Sequence, residues 1–273
     1  MRISDAERWN YKGPVRTVTI EQRSPWGART TVLEFDESGA LVSRSGVNAD
    51  GSRWSHAAES RIDADGWTEH RVSGVSAYAP PGLDDVAVAT HGASLARTRV
   101  NAIGAPLETV FQDDSGAELT RVLYDLDPSG RIVRAVQIAG AAFAASLQNV
   151  PDTERHQLAL ALGPELLRVE FTHDDARRVV TTETFIASLP TGRDVKEYNE
   201  FGDVVAEKRY DLARGATFSI GPHGRTVVDA PEHAAPSTTW FEYEYDAHHN
   251  WTVRRVRDRH SRLTETRSIT YYA

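Results

Sequence analysis

Phe241-Glu-Tyr-Glu-Tyr-Asp-Ala-His-His-Asn-Trp-Thr-Val253 has the pattern of a strand, a tight polar turn and a second strand, and it indicates the fold of the whole chain. Asp246 suits the first position of a type I turn, since its carboxylate accepts hydrogen bonds from backbone N–H groups further along the chain. His249 stands where the chain needs a left-handed residue. The stretch therefore predicts a β-hairpin with a three-residue loop and a bulge.

The predicted turn also predicts which residues face each other across the hairpin. With Asp246 opposite Asn250, the pairs on one face are Tyr245 with Trp251, Tyr243 with Val253, and Phe241 with Arg255. The pairs on the other face are Glu244 with Thr252 and Glu242 with Arg254. One face is then aromatic and the other carries opposite charges, which is the separation that fixes a strand register.

The same spacing recurs along the chain. An aromatic or aliphatic residue is followed four positions later by the residue that ends a turn, in Phe35 to Gly39, Ile62 to Gly66 and Tyr198 to Gly202. These turns begin at Asp36, Asp63 and Asn199, and the rule pairs Phe35 with Leu41 and Tyr198 with Val204. A longer version, with two extra residues, runs from Tyr124 to Gly130.

These repeats predict an all-β fold, an antiparallel meander of hairpins that forms a curved sheet or a partial barrel. We expect one domain over residues 1–273, with a sub-boundary near residues 140–165. One inserted helix is predicted near residues 151–162, where good helix formers follow an acidic turn and a Gly-Pro pair ends the segment. The stretch 214–238, rich in Gly, Pro, Ala and His, is expected to be a long surface excursion.

Composition excludes several classes of function. The 273 residues include no cysteine, which rules out disulfides, thiolate metal sites and thiol nucleophiles. A net charge of −8 argues against a dedicated nucleic-acid binder. No apolar run reaches the length of a signal peptide or of a membrane span, so a cytoplasmic chain without membrane contact is expected.

Catalytic motifs are absent from the sequence. It contains no phosphate loop, no dinucleotide fingerprint, no His-Glu-x-x-His and no Gly-x-Ser-x-Gly. These absences favour a protein that is not an enzyme and that needs no cofactor or metal.

The stretch from Tyr245 to Asn250 resembles the YD repeat of the Rhs family, whose core reads Tyr-Asp-x-x-Gly-Asn. Weaker copies begin at Tyr198, Tyr124 and Phe35, and the resemblance is best over residues 195–257. It implies long meandering sheets that wind into shells around toxic cargo. For this short chain, it implies a β-repeat protein associated with a polymorphic toxin system, and it carries over no catalytic residue.

Five residues are candidates for binding: Trp26, Asp246, His248, His249 and Arg254. The cluster of Asp246 and the two histidines has the residue types of a metal or acid/base site, but an exposed hairpin tip favours a solvated turn. Arg254 begins an arginine-rich segment in which strand alternation sends Arg255, Arg257 and Arg259 to the opposite face. Trp26 lies between Pro25 and Gly27 and is predicted to be exposed.

The sequence leaves two functions open. The first is a scaffold that binds another protein through its acidic surface, its edge strands or its curved face. The alternative is a carbohydrate-binding or carbohydrate-cleaving protein that uses loop tryptophans and the paired carboxylates at residues 84–85, 113–114 and 174–175. In a solvated turn these acid pairs need no catalytic explanation.

Overall fold

The computed structural model describes residues 4–24, 27–57, 65–72, 77–78, 88–146, 165–186, 189–213, 217–221, 224–229 and 235–272. The predicted helix at 151–162, Trp26 and Asp63 lie outside these residues. The all-β prediction is confirmed, because strands dominate the described chain and its two helices are short.

The helices are α1 (Asp5–Arg8) and α2 (Ala141–Ser146). The strands are β1 (Val15–Ser24), β2 (Gly27–Phe35), β3 (Leu41–Val47), β4 (Arg53–Ala57), β5 (Trp67–Arg71), β6 (Ala77–Tyr78), β7 (Val88–Ala89), β8 (Leu95–Val100), β9 (Pro106–Gln112), β10 (Glu118–Leu126), β11 (Ile132–Ala139), β12 (Glu165–Asp174), β13 (Val179–Ile186), β14 (Leu189–Tyr198), β15 (Val204–Asp211), β16 (Thr217–Gly221), β17 (Gly224–Asp229), β18 (Ser237–Tyr245), β19 (Trp251–Arg257) and β20 (Arg262–Tyr271). The hairpin of β16 and β17 lies inside the stretch predicted as a surface excursion.

Sixteen of the strands form one antiparallel sheet in the order β4-β3-β2-β1-β20-β19-β18-β15-β14-β13-β12-β11-β10-β9-β8-β5. Neighbours in the sheet are mostly neighbours in the sequence, so the predicted meander is confirmed. One pairing within the sheet joins strands that are far apart in the sequence, β1 and β20. Among the described strands the sheet is open, with β4 and β5 at its edges.

Chain connectivity requires this sheet to curve. Sixteen strands laid flat at about 4.8 Å spacing span about 70 Å. Ala57 ends one edge strand and Asp65 lies two residues before the other, so the chain between them reaches at most about 30 Å. The two edges therefore approach each other, and the sheet has an inner face and an outer face.

The inner face carries the buried apolar residues. One cluster, around Phe111, Val122 and Ala135, fills the part of the sheet formed by β8 to β12. A second, around Val18 and Leu33, lies over β1 and β2. Between the two clusters, the same face of β19 and β20 carries the charged side chains of Arg254, Glu265 and Arg267. No helix within the described residues has the length and apolar character needed to cross a membrane.

The turns repeat one hydrogen-bonding arrangement. The first residue is Asp or Asn, and its Oδ1 atom accepts the backbone N–H groups of the third and fifth turn residues, as in Asp36, Asn101, Asp113, Asp127, Asn199 and Asp246. The fourth residue has positive φ at Gly39, Gly130 and Gly202, and Gly66 also has positive φ. The turn before Gly130 begins at Asp127. Our prediction of two extra residues there was therefore wrong, because Asp125 and Leu126 still belong to β10.

A second bulge follows these turns and shifts the register. The predicted pairs Phe35 with Leu41 and Tyr198 with Val204 are confirmed, but the next pairs skip one residue on the second strand. The same skip follows the turn at Asp246. The skipped residue changes which side chains of the second strand face inward. This change has its largest consequence in β19.

Candidate functional site

A cavity of about 710 Å³ lies on the inner face, between the sheet and the N-terminal segment. It is lined by Trp9, Asn10, Tyr11, Ile20, Gln22, Arg29, Thr30, Thr31, Arg44, Val47, Asn48, Trp251, Arg254, Glu265 and Arg267. We call this cavity the charged groove. It combines four arginines and three large aromatic rings with a single carboxylate, so its local charge is opposite to that of the whole chain.

The N-terminal segment, residues 4–13, forms one wall of the charged groove because it is tied to three hairpin turns. The backbone N–H of Ala6 donates to the Gly39 carbonyl at 3.0 Å. The Asn10 side-chain amide donates to Asp203 Oδ1 at 3.1 Å. Lys12 then pairs with the side chain of Asn250. Trp9 and Tyr11 are thereby held over the sheet, a position that no local pattern in residues 4–13 predicts.

The bulge in β19 brings Arg254 to the inner face. Tyr245 pairs with Trp251 as predicted, but Thr252 is then skipped and Arg254 lies opposite Tyr243. The predicted pairing of Arg254 with Glu242 was wrong, because it extended the ladder without this second bulge. The Arg254 guanidinium carbon instead lies 5.0 Å from the Trp251 ring centroid.

The same one-residue shift corrects the other predicted pairs of this hairpin. Glu244 pairs with Val253, Glu242 with Arg255, and Phe241 with Val256. Arg255 and Arg257 do alternate with Arg254, so they lie on the outer face as expected.

Arg254 is neutralised by Glu265 on the neighbouring strand β20. The Arg254 guanidinium donates to Glu265 Oε2, and the amide of Gln22 donates to Oε1. Glu265 is only 2% exposed, so its charge is buried with both oxygens satisfied. This ion pair forms one end of the charged groove.

Arg267 lies two residues further along β20 and has no carboxylate partner among the described residues. Its guanidinium carbon is 3.2 Å from the centroid of the Trp251 ring and 4.9 Å from that of Tyr11. Its Nε atom is buried and has no hydrogen-bond acceptor in the described part of the chain. Burial lowers the pKa of Arg267 to about 10, although the neighbouring Tyr11 hydroxyl opposes that shift.

Tyr11 completes this stack of rings and guanidinium groups. It is 2% exposed, and its hydroxyl is buried without a hydrogen-bond partner among the described residues. Burial raises the pKa of Tyr11, so the hydroxyl stays protonated at neutral pH and keeps its donor. The charged groove thus holds two polar groups whose hydrogen-bonding capacity the described chain does not use.

The other sequence candidates stabilise the turn beside the charged groove. Asp246 accepts the His248 and Asn250 backbone N–H groups at 2.9 Å, and its Oδ2 atom accepts the Tyr271 hydroxyl. His249 has φ of 62° and its ring stacks on Phe201 at a centroid distance of 5.0 Å. The described residues contain no group of three or more His, Asp or Glu that could hold a metal ion. The contacts of Asp246, His248 and His249 hold the turn, and a binding role for these three residues stays a prediction.

The paired carboxylates also have structural explanations where they are described. Asp113 caps its turn, and Asp174 accepts the Arg177 backbone N–H at 3.0 Å. Asp175 forms an ion pair with Arg131, with Nη1 of Arg131 2.7 Å from Oδ1 of Asp175. None of these acids lines the charged groove. Residues 84 and 85 lie outside the described chain.

Comparison with known proteins gives no family. No family model matches the sequence, and no curated protein matches it. Two solved structures with similar chains are porin-like proteins. The one from Bacteroides uniformis ATCC 8492 has a TM-score of 0.49 and 10% identity, covering 95% of this chain and 98% of that chain. The one from Bacteroides vulgatus ATCC 8482 has a TM-score of 0.45 and 11% identity, covering 94% of this chain and 99% of that chain. Similarity at this level carries no functional information.

Proposed function

We propose that this chain is a non-enzymatic β-repeat scaffold that binds another protein through the charged groove. One observation carries the proposal: Trp9, Tyr11, Trp251, Arg254 and Arg267 converge on one cavity. Trp, Tyr and Arg are the residue types that supply most of the binding energy in protein interfaces. A cavity that concentrates them on a buried sheet face is suited to an inserted segment of a partner.

Charge defines the chemistry of that partner. The charged groove carries four arginines against one glutamate, whereas the whole chain has a net charge of −8. An acidic segment is therefore attracted to the groove, whereas the net negative charge of the whole chain disfavours its non-specific association, which supports selective binding. The proposed occupant is an extended acidic segment of a partner protein.

A displayed peptide library tests the proposal. We expect selection on the full chain to enrich acidic peptides, and fluorescence anisotropy of a labelled hit to give saturable binding. Trp9→Ala, which removes a wall of the groove, should weaken binding at least tenfold. Trp240→Ala is the matched control, because Trp240 is 45% exposed and pairs with Ala206 on the outer face. Enrichment without acidic residues, or equal binding by both variants, would refute the proposal.

Carbohydrate binding is the second candidate. Trp9 and Tyr11 have ring centroids 6.5 Å apart, and Gln22, Thr31 and Asn48 line the same cavity, which gives stacking surfaces beside hydrogen-bonding groups. Cleavage has less support, because Glu265 is the sole carboxylate among the lining residues and glycosidases use two. A glycan array probed with the wild-type chain and with Trp9→Ala separates this candidate from the first. The role in a toxin system rests on the YD-repeat resemblance and stays a prediction.

A further inference from the structure

We infer that Arg267 is the receptor for one carboxylate of the ligand, held in place by Trp251. The inference deepens the proposed function, because it names the chemical group that the charged groove recognises and the side chain that receives it.

The first argument is the contrast between two arginines of the same cavity. Arg254 is paired with Glu265, whose second oxygen is occupied by Gln22. Arg267, on the same strand as Glu265, has no carboxylate partner within the described residues. Glu265 attracts Arg267 through space, but its two oxygens are occupied by Arg254 and Gln22, so it forms no contact ion pair with Arg267. A partly buried cation without a counter-ion is costly unless an anion arrives to pair with it.

The second argument is the geometry of the stack. A separation of 3.2 Å between the Arg267 guanidinium carbon and the Trp251 centroid requires the flat face of the guanidinium to cover the ring. The N–H donors lie in the guanidinium plane, so this contact does not consume them. A planar carboxylate is the acceptor that matches two such donors side by side.

The third argument is the neighbouring hydroxyl. Tyr11 lies against the same guanidinium, and its hydroxyl has no acceptor among the described residues. A carboxylate on Arg267 has a second donor nearby in Tyr11. Both unused polar groups, the Tyr11 hydroxyl and Arg267 Nε, are buried at the guanidinium that we assign to the carboxylate.

The experiment uses the full chain labelled with 5-fluorotryptophan, whose Trp251 signal is assigned with Trp251→Phe. The probe is N-acetylglutamic acid α-amide, and N-acetylglutamine amide is its neutral match. At constant ionic strength, we expect the acidic probe to move the Trp251 signal saturably and the neutral probe to leave it unchanged. Inorganic phosphate, added separately, distinguishes a carboxylate receptor from a general anion site, and tighter binding of phosphate would overturn the assignment.

Variants complete the test. Arg267→Met should weaken binding of the acidic probe at least tenfold. Arg262→Met should leave that binding unchanged, because Arg262 lies on the same strand but on the outer face. Tyr11→Phe should weaken binding of the acidic probe severalfold. If Arg267→Met does not fold, Arg267→Lys replaces it, because lysine keeps the positive charge but lacks the paired planar donors, and it should also weaken binding of the acidic probe. No shift of Trp251 with the acidic probe would overturn the inference.

The inference and the proposed function fail in different ways. If selected acidic peptides bind Arg267→Met as well as they bind the wild-type chain, the scaffold proposal stands and the receptor is another residue. If no peptide is selected but the acidic probe moves the Trp251 signal, the receptor stands and the protein partner is wrong.

Discussion

The side-chain amide of Asn250 forms two hydrogen bonds with the backbone of Lys12, accepting its N–H and donating to its carbonyl, both at 2.7 Å. The Asn250 amide thus satisfies both backbone groups of Lys12, as a residue of a paired β-strand would. It joins the turn after β18 to the N-terminal segment, and so fixes that wall of the charged groove.

Replacing this amide should loosen the wall. Asn250→Ala leaves the Lys12 N–H and carbonyl unpaired at a site where Asn250 is 2% exposed, so we expect the free energy of unfolding to fall by about 2–4 kcal/mol. Urea denaturation measures the change. Asn48→Ala is the control, because Asn48 is exposed and its amide bonds only the Ser52 hydroxyl, so a loss under about 1 kcal/mol is expected. Equal losses would show that Asn250 does not hold the segment.

Removing the unpaired cation should stabilise the free protein. Arg267→Met deletes a charge with no described counter-ion and keeps an apolar stem on Trp251, so we expect a gain of about 1 kcal/mol in the free energy of unfolding. Arg262→Met should change it by less than about 0.5 kcal/mol. A gain in stability together with a loss of binding marks a residue kept for function. Destabilisation by Arg267→Met would instead indicate a structural cation.

The turn aspartates should make stability depend on acid pH. A serine hydroxyl two residues on, together with backbone N–H groups, lowers the pKa of Asp36, Asp113 and Asp127. For a carboxylate whose folded pKa is depressed, the stabilisation is complete above its unfolded pKa, near 4, and is lost as pH falls through the folded pKa.

The triple variant with Asn at these three positions tests this directly. Asn101 and Asn199 already cap equivalent turns through an amide oxygen, so the fold should be retained. We expect the melting temperature of this variant to fall less steeply than that of the wild type between pH 5 and about pH 2. Parallel curves would mean that other carboxylates control acid unfolding.

His249 should be energetically coupled to Phe201. The left-handed backbone at His249 is unfavourable for a residue with a Cβ, and the stacked ring of Phe201 offsets that cost. A double-mutant cycle with alanine at both positions should give a coupling of about 0.5–1.5 kcal/mol in urea unfolding. The cycle of His249 with Trp240 is the control and should be additive within about 0.5 kcal/mol. No coupling between His249 and Phe201 would leave the missing glycine unexplained.

Local chemistry made much of the fold predictable from the sequence. Asp36 with Gly39 and Asn199 with Gly202 identify turns because the side-chain oxygen and the left-handed residue each have one role there. These turns in turn imply the antiparallel meander. The pairing of β1 with β20 was not predictable, since no local signal links segments so far apart.

The candidate site was mostly hidden from sequence analysis. Arg254 was recognised as a candidate, but the bulge at Thr252 that brings it to the inner face follows from backbone geometry. Arg267 was missed, although a signal existed. Along β20 the odd positions are Leu263, Glu265, Arg267, Ile269 and Tyr271, whereas the even positions are Arg, Thr and Ser. Two charges within an otherwise apolar face are a local inconsistency of the kind that indicates a candidate site.

The pairing of β1 with β20 also has a consequence for biosynthesis. A ribosome exposes β1 to β4 long before β20 has been translated, so the nascent chain carries β1 with one edge unpaired throughout that time. The partner that shields this edge emerges only after β19. We therefore expect the yield of this protein to respond to synthesis speed and chaperone supply, because an unpaired strand edge is prone to aggregate.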